Sequence, residues 1–215
     1  MSVQFPKTGV APLLSMKWYI ESLKDELFSI DNRKKKIPEF PVDKVARERR
    51  NAIDNVIRSQ YYFGWTKGAS TSFLGTVYRE SSIQGRVEEF ITTKSPDSRE
   101  LLKEVNRITT IEHVLPISRL RDRVFDSGLS NLDTVIAEAL LSPVALLLKT
   151  TVTKIKEISS HENMEKPFSR YDKYAIQVVT HAGEDVGSDW GMDDHWRVLS
   201  EIPEFNQALE FYKIT

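Results

Sequence analysis

The spacing of apolar residues in the N-terminal part of the chain follows the three-to-four-residue repeat of an amphipathic helix. It predicts a first helix over residues 10–30 and a second over residues 43–63. Between them, the charged run 31–36 and two prolines break the repeat and predict a linker. The residues of the second helix that are expected to face the core are Val45, Ile53, Val56 and Ile57.

The next stretch is richer in small and polar residues and predicts shorter elements. Gly, Ser and Thr are dense enough over residues 64–75 to indicate a loop. Short helices are predicted for residues 83–92 and, after Ser95 and Pro96, for residues 98–105, because serine is a good helix cap and proline suits a first helical position. No strand is predicted in this part of the chain.

The pattern changes at residue 108. The β-branched residues 108–111 predict a strand that ends at Glu112 and His113. The polar stretch 118–130 has room for a short helix, and the apolar residues 132–141 predict another.

The remaining elements complete a short repeat of strands and helices. The apolar run 144–148 predicts a buried strand, and residues 150–158 predict a helix directly after it. A further strand is predicted within 175–180, and residues 194–212 are predicted to be helical with a break near Pro203. From residue 108, the order is therefore strand, long insertion, strand and helix.

Composition and charge limit the chemistry more than they limit the fold. Thirty basic residues nearly cancel thirty-one acidic residues, so the net charge of −1 neither favours nor excludes a polyanionic partner. Because there is no cysteine, a metal site would have to use histidine, carboxylate, amide or water ligands. The N-terminus does not resemble a signal peptide and no apolar run approaches the roughly 20 residues of a membrane span, so we expect a cytoplasmic protein with no membrane partner.

One segment, Glu112-His113-Val114-Leu115-Pro116, places an acid and a histidine together at the predicted end of a strand. Hydrolysis of a phosphodiester needs a base that activates water, a divalent metal that stabilises negative charge, and a group that orients the base. Histidine is a suitable base near neutral pH, and a carboxylate is a hard ligand for Mg²⁺ or Mn²⁺. The segment therefore predicts a hydrolytic site.

Residues 111–118, I-E-H-V-L-P-I-S, resemble the first strand of the HNH, or ββα-metal, nucleases, in which an acid–histidine pair precedes an apolar residue and a proline. Residues 130–133, S-N-L-D, are similar to the loop asparagine and following leucine of that family. Residues 143–149 and the helix 150–158 occupy the places of its second strand and metal-binding helix. Residues 166–171, K-P-F-S-R-Y, are similar to a segment that trails the motif in some members.

This resemblance covers residues 108–174 and implies an α+β fold, a mainly helical chain around a small ββα-metal core. It divides the chain into a mainly helical N-terminal region (1–107), the HNH-like core (108–174), and a C-terminal strand and helices packed on the core (175–215).

The resemblance also implies a role for each residue of the motif. His113 would be the general base, Asn131 the residue that orients it, and Glu112 a ligand of a divalent metal, which would be Mg²⁺ or Mn²⁺, with Zn²⁺ as an alternative. Taken alone, Asn131 fits a cap of the helix that begins at Leu132 better than it fits a catalytic residue, and the two roles are compatible.

The chain departs from the family pattern in the final helix, where members usually carry a histidine or asparagine in the second turn. Here Thr153 and Lys154 stand nearby, and the expected metal ligands are His161 and Asn163, one to two turns later. If neither closes the site, the third ligand is missing and both metal binding and activity are in question.

Basic residues suggest where a nucleic acid would bind. Arg119, Arg121 and Arg123 follow the motif directly, and their contacts with phosphates would supply much of the affinity for DNA. Basic clusters at 34–36 and 47–50 are further candidates, although such runs are usually solvated helix faces. A homodimer is compatible with a nuclease that cuts both strands.

A second group of potential metal ligands lies near the C-terminus. Its members are His181, Asp185, Asp189, Asp193, Asp194 and His195. A Gly-rich acidic loop that caps the next helix, with Asp193 or Asp194 as the cap residue, explains them more simply than a metal site.

Three functions remain open on these grounds. The leading one is a metal-dependent endonuclease that hydrolyses DNA, of the kind found in phages, mobile elements and restriction systems. The second is a non-catalytic protein that binds nucleic acid or another protein and retains a degenerate HNH core. The third is an unrelated α+β interaction protein in which Glu112-His113 is incidental.

Overall fold

The chain divides into two compact units, and neither is a continuous stretch of sequence. The helical unit comprises Met1–Leu74, Pro116–Ser142 and Ile202–Thr215, and the sheet unit comprises Gly75–Leu115 and Pro143–Glu201. The computed structural model describes residues 12–36, 41–58, 77–86, 88, 103–105, 107–127, 131–156 and 165–214.

Helices that pack on one another form the described part of the helical unit. They are α1 (Pro12–Lys36), α2 (Val42–Arg58), α3 (Ile117–Asp126), α4 (Leu132–Leu140) and α8 (Pro203–Tyr212). Helix α2 contacts α1, α3 and α4, and α8 contacts α1 and α4. The four residues of the second helix that were predicted to face inward are all buried, together with Ala52.

Helix α1 is longer than predicted, and the predicted linker over residues 31–36 is wrong. The helix continues to Lys36. Arginine and lysine are good helix formers, and charges in this last part pair with α2. Arg33 forms an ion pair with Glu48 at 3.2 Å, and Asp31 lies 3.9 Å from Arg49.

A four-stranded mixed sheet is the centre of the sheet unit. Its strands are β1 (Tyr78–Glu80), β2 (Thr109–His113), β3 (Val144–Leu148) and β4 (Val178–Thr180), in the spatial order β2-β3-β1-β4. Strand β3 pairs with β2 in antiparallel and with β1 in parallel orientation, and β1 pairs with β4 in antiparallel orientation. The expectation of a mainly helical α+β fold is confirmed at this level.

The helices of the sheet unit follow its strands. Helix α5 (Lys149–Lys156) follows β3 directly and packs on β2 and β3. Short α6 (Ser169–Asp172) precedes β4, and α7 (Met192–Ser200) follows it. A 3₁₀ turn, Ser81–Ile83, comes after β1.

Sequence and structure agree closely around the motif. The strand 144–148 is confirmed at both ends, β2 includes the predicted 109–111 and ends at His113, and helices α4 and α5 begin within one residue of the predicted starts. Strand β1 was not predicted, although it lies in the middle of the sheet. The predicted loop 64–75 and most of the predicted helices 83–92 and 98–105 lie outside the described residues.

Among the described residues, no helix is both long enough and apolar enough to cross a membrane.

Candidate active site

Glu112 and His113 are the last two residues of β2, at the edge of the sheet. Glu112 pairs with Ala145 and His113 with Val144, so both lie beside the start of β3. The backbone NH of Val114 donates to the carbonyl of Pro143 at 3.0 Å, which extends this pairing beyond the strand. Because α5 packs on both strands, the order of strand, strand and helix forms one local structure.

The carboxylate of Glu112 is held by a buried arginine. Arg170 Nη2 donates to Glu112 Oε1 at 2.6 Å. The Arg170 side chain is 8% exposed and that of Glu112 is 21% exposed, so water screens this ion pair far less than it screens a surface pair. No described residue donates a hydrogen bond to Glu112 Oε2.

Arg170 reaches Glu112 because residues 166–171, K-P-F-S-R-Y, pack across one face of the sheet. Glu112 and Tyr78 both pair with Ala145, so the three residues lie side by side across neighbouring strands. Side chains of residues paired in this way project from the same face of the sheet. On that face the ring centroids of Phe168 and Tyr78 are 4.8 Å apart. The Arg170 guanidinium also lies 5.2 Å from the ring centroid of Tyr171.

His113 is buried, with 7% of its surface exposed. Successive side chains of a strand alternate between faces, so His113 leaves the sheet on the face opposite to Glu112. His113 is the last residue of its strand.

Arg79 lies on the same face of the sheet as His113, since it pairs with Leu146, which pairs with Ile111. Its side chain is 2% exposed. Burial lowers the pKa of Arg79 to about 10, against the opposing charge of Glu88. Its Nη1 donates to Gln84 at 3.3 Å, and no described residue accepts a hydrogen bond from its buried Nε.

Asn131 belongs to the helical unit, where it directly precedes α4. It occupies the capping position, as the alternative interpretation predicted, but its side chain makes no capping hydrogen bond. The side chain is exposed. The orienting role therefore stays a prediction.

The three candidate phosphate-binding arginines lie on α3 of the helical unit, and two of them pair with acids. Arg121 contacts Asp54 at 3.3 Å and Asp122 at 3.2 Å. Arg123 forms an ion pair with Glu138. Arg119 is exposed. A phosphate would have to compete with these carboxylates at Arg121 and Arg123.

The two remaining predicted metal ligands, His161 and Asn163, lie outside the described residues. In α5, which has the place of the metal-binding helix in the HNH resemblance, Thr153 and Lys154 are exposed. The Thr153 hydroxyl donates to the carbonyl of Lys149 at 3.0 Å. Among the described residues, no group of three or more acids and histidines is placed to hold a metal ion.

Three of the C-terminal acids and histidines, Asp185, Asp194 and His195, contact other residues of the sheet unit, and the prediction of Asp193 or Asp194 as the cap residue is wrong. Gly191, and not an aspartate, is the cap residue of α7, and its NH donates to Asp194 at 2.9 Å. Gln177 donates to Asp185 at 2.8 Å. His195 is fully buried, and its Nδ1 lies 2.8 Å from the hydroxyl of Tyr78.

A cavity of about 360 Å³ opens beside the segment 166–171. Its lining combines apolar and aromatic residues, including Phe168 and Tyr171, with polar residues that include Asp172 and Asp185. It adjoins the residues that surround Arg170 and contains neither Glu112 nor His113.

Two contacts of the site were missed at the level of sequence. Segment 166–171 was recognised, but nothing in its pattern distinguished Arg170 as the partner of Glu112. Tyr78 gave no signal, because its strand is only three residues long and includes Arg79 and Glu80.

The chain was compared with protein-family models, with curated proteins and with solved structures, and none of the three comparisons found a match.

Among the predicted metal ligands, Glu112 is the one that the structure describes, and its oxygens can be compared with the ligand preference of a divalent cation. Glu112 supplies one hard carboxylate oxygen, Oε2, of the kind that Mg²⁺ and Mn²⁺ prefer, while its Oε1 is held by Arg170. This donor fits such a cation, and the other proposed ligands lie beyond the described residues.

Proposed function

We propose that this protein is a metal-dependent HNH-type endonuclease that hydrolyses phosphodiester bonds of DNA. The observation that carries the proposal is the antiparallel pair β2 and β3, followed directly by α5 packed on both strands, with Glu112 and His113 at the end of the first strand. This is the order of elements that the resemblance to HNH nucleases implies.

In this proposal His113 takes a proton from the attacking water, and Asn131 orients the imidazole. Glu112 Oε2 binds Mg²⁺ or Mn²⁺ together with His161 or Asn163, and Arg119, Arg121 and Arg123 contact the phosphate backbone. When bound, the metal would stabilise negative charge on the phosphate and leaving oxygen.

Nicking of a supercoiled plasmid tests this function. We expect the wild-type protein to nick the plasmid with Mg²⁺ or Mn²⁺ and to be inactive with excess chelator. Glu112→Gln should lose the activity, because an amide is a much poorer ligand for these cations. The matched control is Glu184→Gln, which removes an exposed carboxylate of the same unit and should leave nicking unchanged.

Wild-type nicking that persists in chelator, or Glu112→Gln activity equal to that of Glu184→Gln, would exclude a metal held by Glu112.

A second candidate function is the non-catalytic one, in which a degenerate HNH core binds DNA without cutting it. The observation that favours it is the buried ion pair, since a guanidinium already occupies one oxygen of Glu112. The burial of His113 and its position on the opposite face point the same way. DNA binding by fluorescence anisotropy, measured with chelator and without any nicking in Mg²⁺ or Mn²⁺, would support this alternative.

A further inference from the structure

We propose that Arg170 is a positioning residue, which fixes the carboxylate of Glu112 so that Oε2 is presented to the divalent cation. The inference rests on the proposed function and adds a residue to its site. Arg170 itself does not contact the reacting atoms in this account.

The geometry of the ion pair supports positioning. A 2.6 Å contact from Nη2 to Oε1 is a short, charge-assisted hydrogen bond, and it fixes which oxygen of Glu112 faces the arginine. A glutamate at the end of an edge strand otherwise samples several side-chain rotamers, and ordering it on metal binding costs free energy. The contact with Arg170 already orders the Glu112 side chain when the protein folds, before a metal binds.

Arg170 is held by its contact with Tyr171 and by the packing of its own segment in the core. Its guanidinium lies beside the ring of Tyr171, and the neighbouring Phe168 packs against Tyr78 of the central strand. Phe168 and Tyr171 are each 2% exposed. A side chain fixed in this way can hold its partner with little loss of precision, which is how residues beyond the ligands tune a metal site.

Stability alone is a weak explanation of the pair. Burying two charges is costly, and a buried ion pair often contributes no more to stability than apolar residues of the same volume. Arginine also differs from lysine here, because its planar group offers several donors in fixed directions.

The sign of the effect on metal affinity separates positioning from competition. If Arg170 only competes with the cation for Glu112, its removal frees Oε1 and also removes the charge repulsion between the guanidinium and the cation. The metal then binds more tightly. If Arg170 positions Glu112, its removal lets the carboxylate move and weakens binding.

The test is Mn²⁺ binding to the full chain without DNA, measured by electron paramagnetic resonance. We expect Arg170→Gln to raise the dissociation constant by about 10-fold or more, within the range typical of residues that support metal ligands. Arg170→Lys should fall between Arg170→Gln and wild type, because it keeps the charge and loses the fixed geometry. Arg197→Gln, which removes an exposed arginine of the same unit, is the control and should bind like wild type.

Equal or tighter Mn²⁺ binding by Arg170→Gln would overturn the inference. If Arg170→Gln does not fold, the comparison of Arg170→Lys with wild type decides, and unchanged affinity in that variant overturns it. A wild-type protein that nicks DNA while Arg170 variants keep their Mn²⁺ affinity would refute the positioning role alone. A wild-type protein that neither nicks DNA nor binds Mn²⁺ would refute the proposed function, and the inference with it.

Discussion

Among the residues that the structure describes, two helix ends are closed by a residue other than glycine in the left-handed conformation. Ala175 has φ 51° and Lys213 has φ 56°. In each case the hydrogen bonds have the Schellman pattern, such as Ile176 NH to the Tyr171 carbonyl and Ala175 NH to the Asp172 carbonyl, both 3.0 Å. The motif satisfies carbonyl groups at the helix end, and the Cβ of each residue adds strain that glycine would avoid.

We therefore expect Ala175→Gly and Lys213→Gly each to raise the free energy of unfolding by about 0.5–1 kcal/mol. The control is Ala46→Gly within α2, where the same loss of a side chain should lower it by about 1 kcal/mol. Denaturant unfolding provides the measurement. Destabilisation by all three substitutions would show that the left-handed conformations are not those of the folded protein.

The hydrogen bond between Tyr78 and His195 fixes a buried part of the sheet unit. The hydroxyl of Tyr78 lies 2.8 Å from Nδ1 of His195, and the two side chains are 0% and 1% exposed. Burial raises the pKa of Tyr78, so the phenol stays protonated at any physiological pH.

Tyr78→Phe leaves a buried ring nitrogen of His195 without this partner, and we expect it to cost about 1–2 kcal/mol of the free energy of unfolding. Tyr174→Phe is the matched control, because no described residue bonds to the hydroxyl of Tyr174 and its removal should be neutral or stabilising. Equal stability of the two variants in denaturant unfolding would argue against the contact.

The lowered pKa of His181 makes the stability of the sheet unit depend on pH. Burial, and then the charge of Arg79, lower its pKa from the ordinary 6.5, although the charge of Glu201 opposes the shift. On acidification below about 6.5 the unfolded chain binds this proton before the folded protein does. The stabilisation is therefore complete above the ordinary pKa and is lost as the pH falls toward the lower, folded-state pKa.

We expect the free energy of unfolding to fall between about pH 7.5 and pH 5.5, and to fall less in His181→Gln, which has no such proton to bind. Denaturant unfolding at several pH values measures both slopes. Parallel curves for the two proteins would show that His181 does not contribute.

At the scale of elements, the Glu112–Arg170 ion pair joins β2 to α6. Removing the Glu112 charge leaves the buried Arg170 guanidinium without this partner, which we expect to cost about 3 kcal/mol in Glu112→Gln. Arg170→Gln leaves the partly exposed Glu112 and should cost less. The double variant should cost less than the sum of the two, with a coupling of about 1–3 kcal/mol in a double-mutant cycle.

The control cycle uses Arg197 of α7 and Glu201, the residue that directly follows this helix, an exposed pair at 3.2 Å for which we expect a coupling below about 0.5 kcal/mol. Similar coupling in the two cycles would mean that Glu112 and Arg170 are not a buried pair in solution.

Elements with a strong local pattern could be predicted, and those fixed by distant contacts could not. The apolar run 144–148 and the helices around it were predicted within a residue or two at their starts because each carries its own repeat. Strand β1 is held by pairing with β3 and β4, partners far along the chain, and its three residues contain too little alternation to recognise. The error over residues 31–36 came from treating a charged run as a break, although its side chains pair with α2.

At the residue scale the same distinction holds for the site. Glu112 and His113 were found because they are adjacent in sequence and follow a strand. Arg170 lies 58 positions from Glu112, and only the folded chain shows that they meet.

On the scale of the whole molecule, the predicted site residues are divided between two units. Glu112 and His113 belong to the sheet unit, whereas Asn131 and the arginines of α3 belong to the helical unit. Units built from separate stretches of chain depend on long-range contacts that no local pattern encodes. The division of the chain into three consecutive regions, 1–107, 108–174 and 175–215, stays a prediction.

The central claim is that His113 is the base of a phosphodiesterase, and a single-turnover assay on a labelled DNA duplex with Mg²⁺ or Mn²⁺ tests it most directly. We predict cleavage by the wild-type protein and a rate lower by about 100-fold or more in His113→Ala, as is typical for loss of a general base. Because His113 is buried, its truncation should also lower the unfolding midpoint, so the rate and DNA binding are compared at a temperature at which both proteins are folded. His181→Gln, another histidine substitution in the same unit, should cleave at the wild-type rate. Cleavage by His113→Ala at the wild-type rate, or no cleavage by the wild-type protein with either metal, would contradict the account.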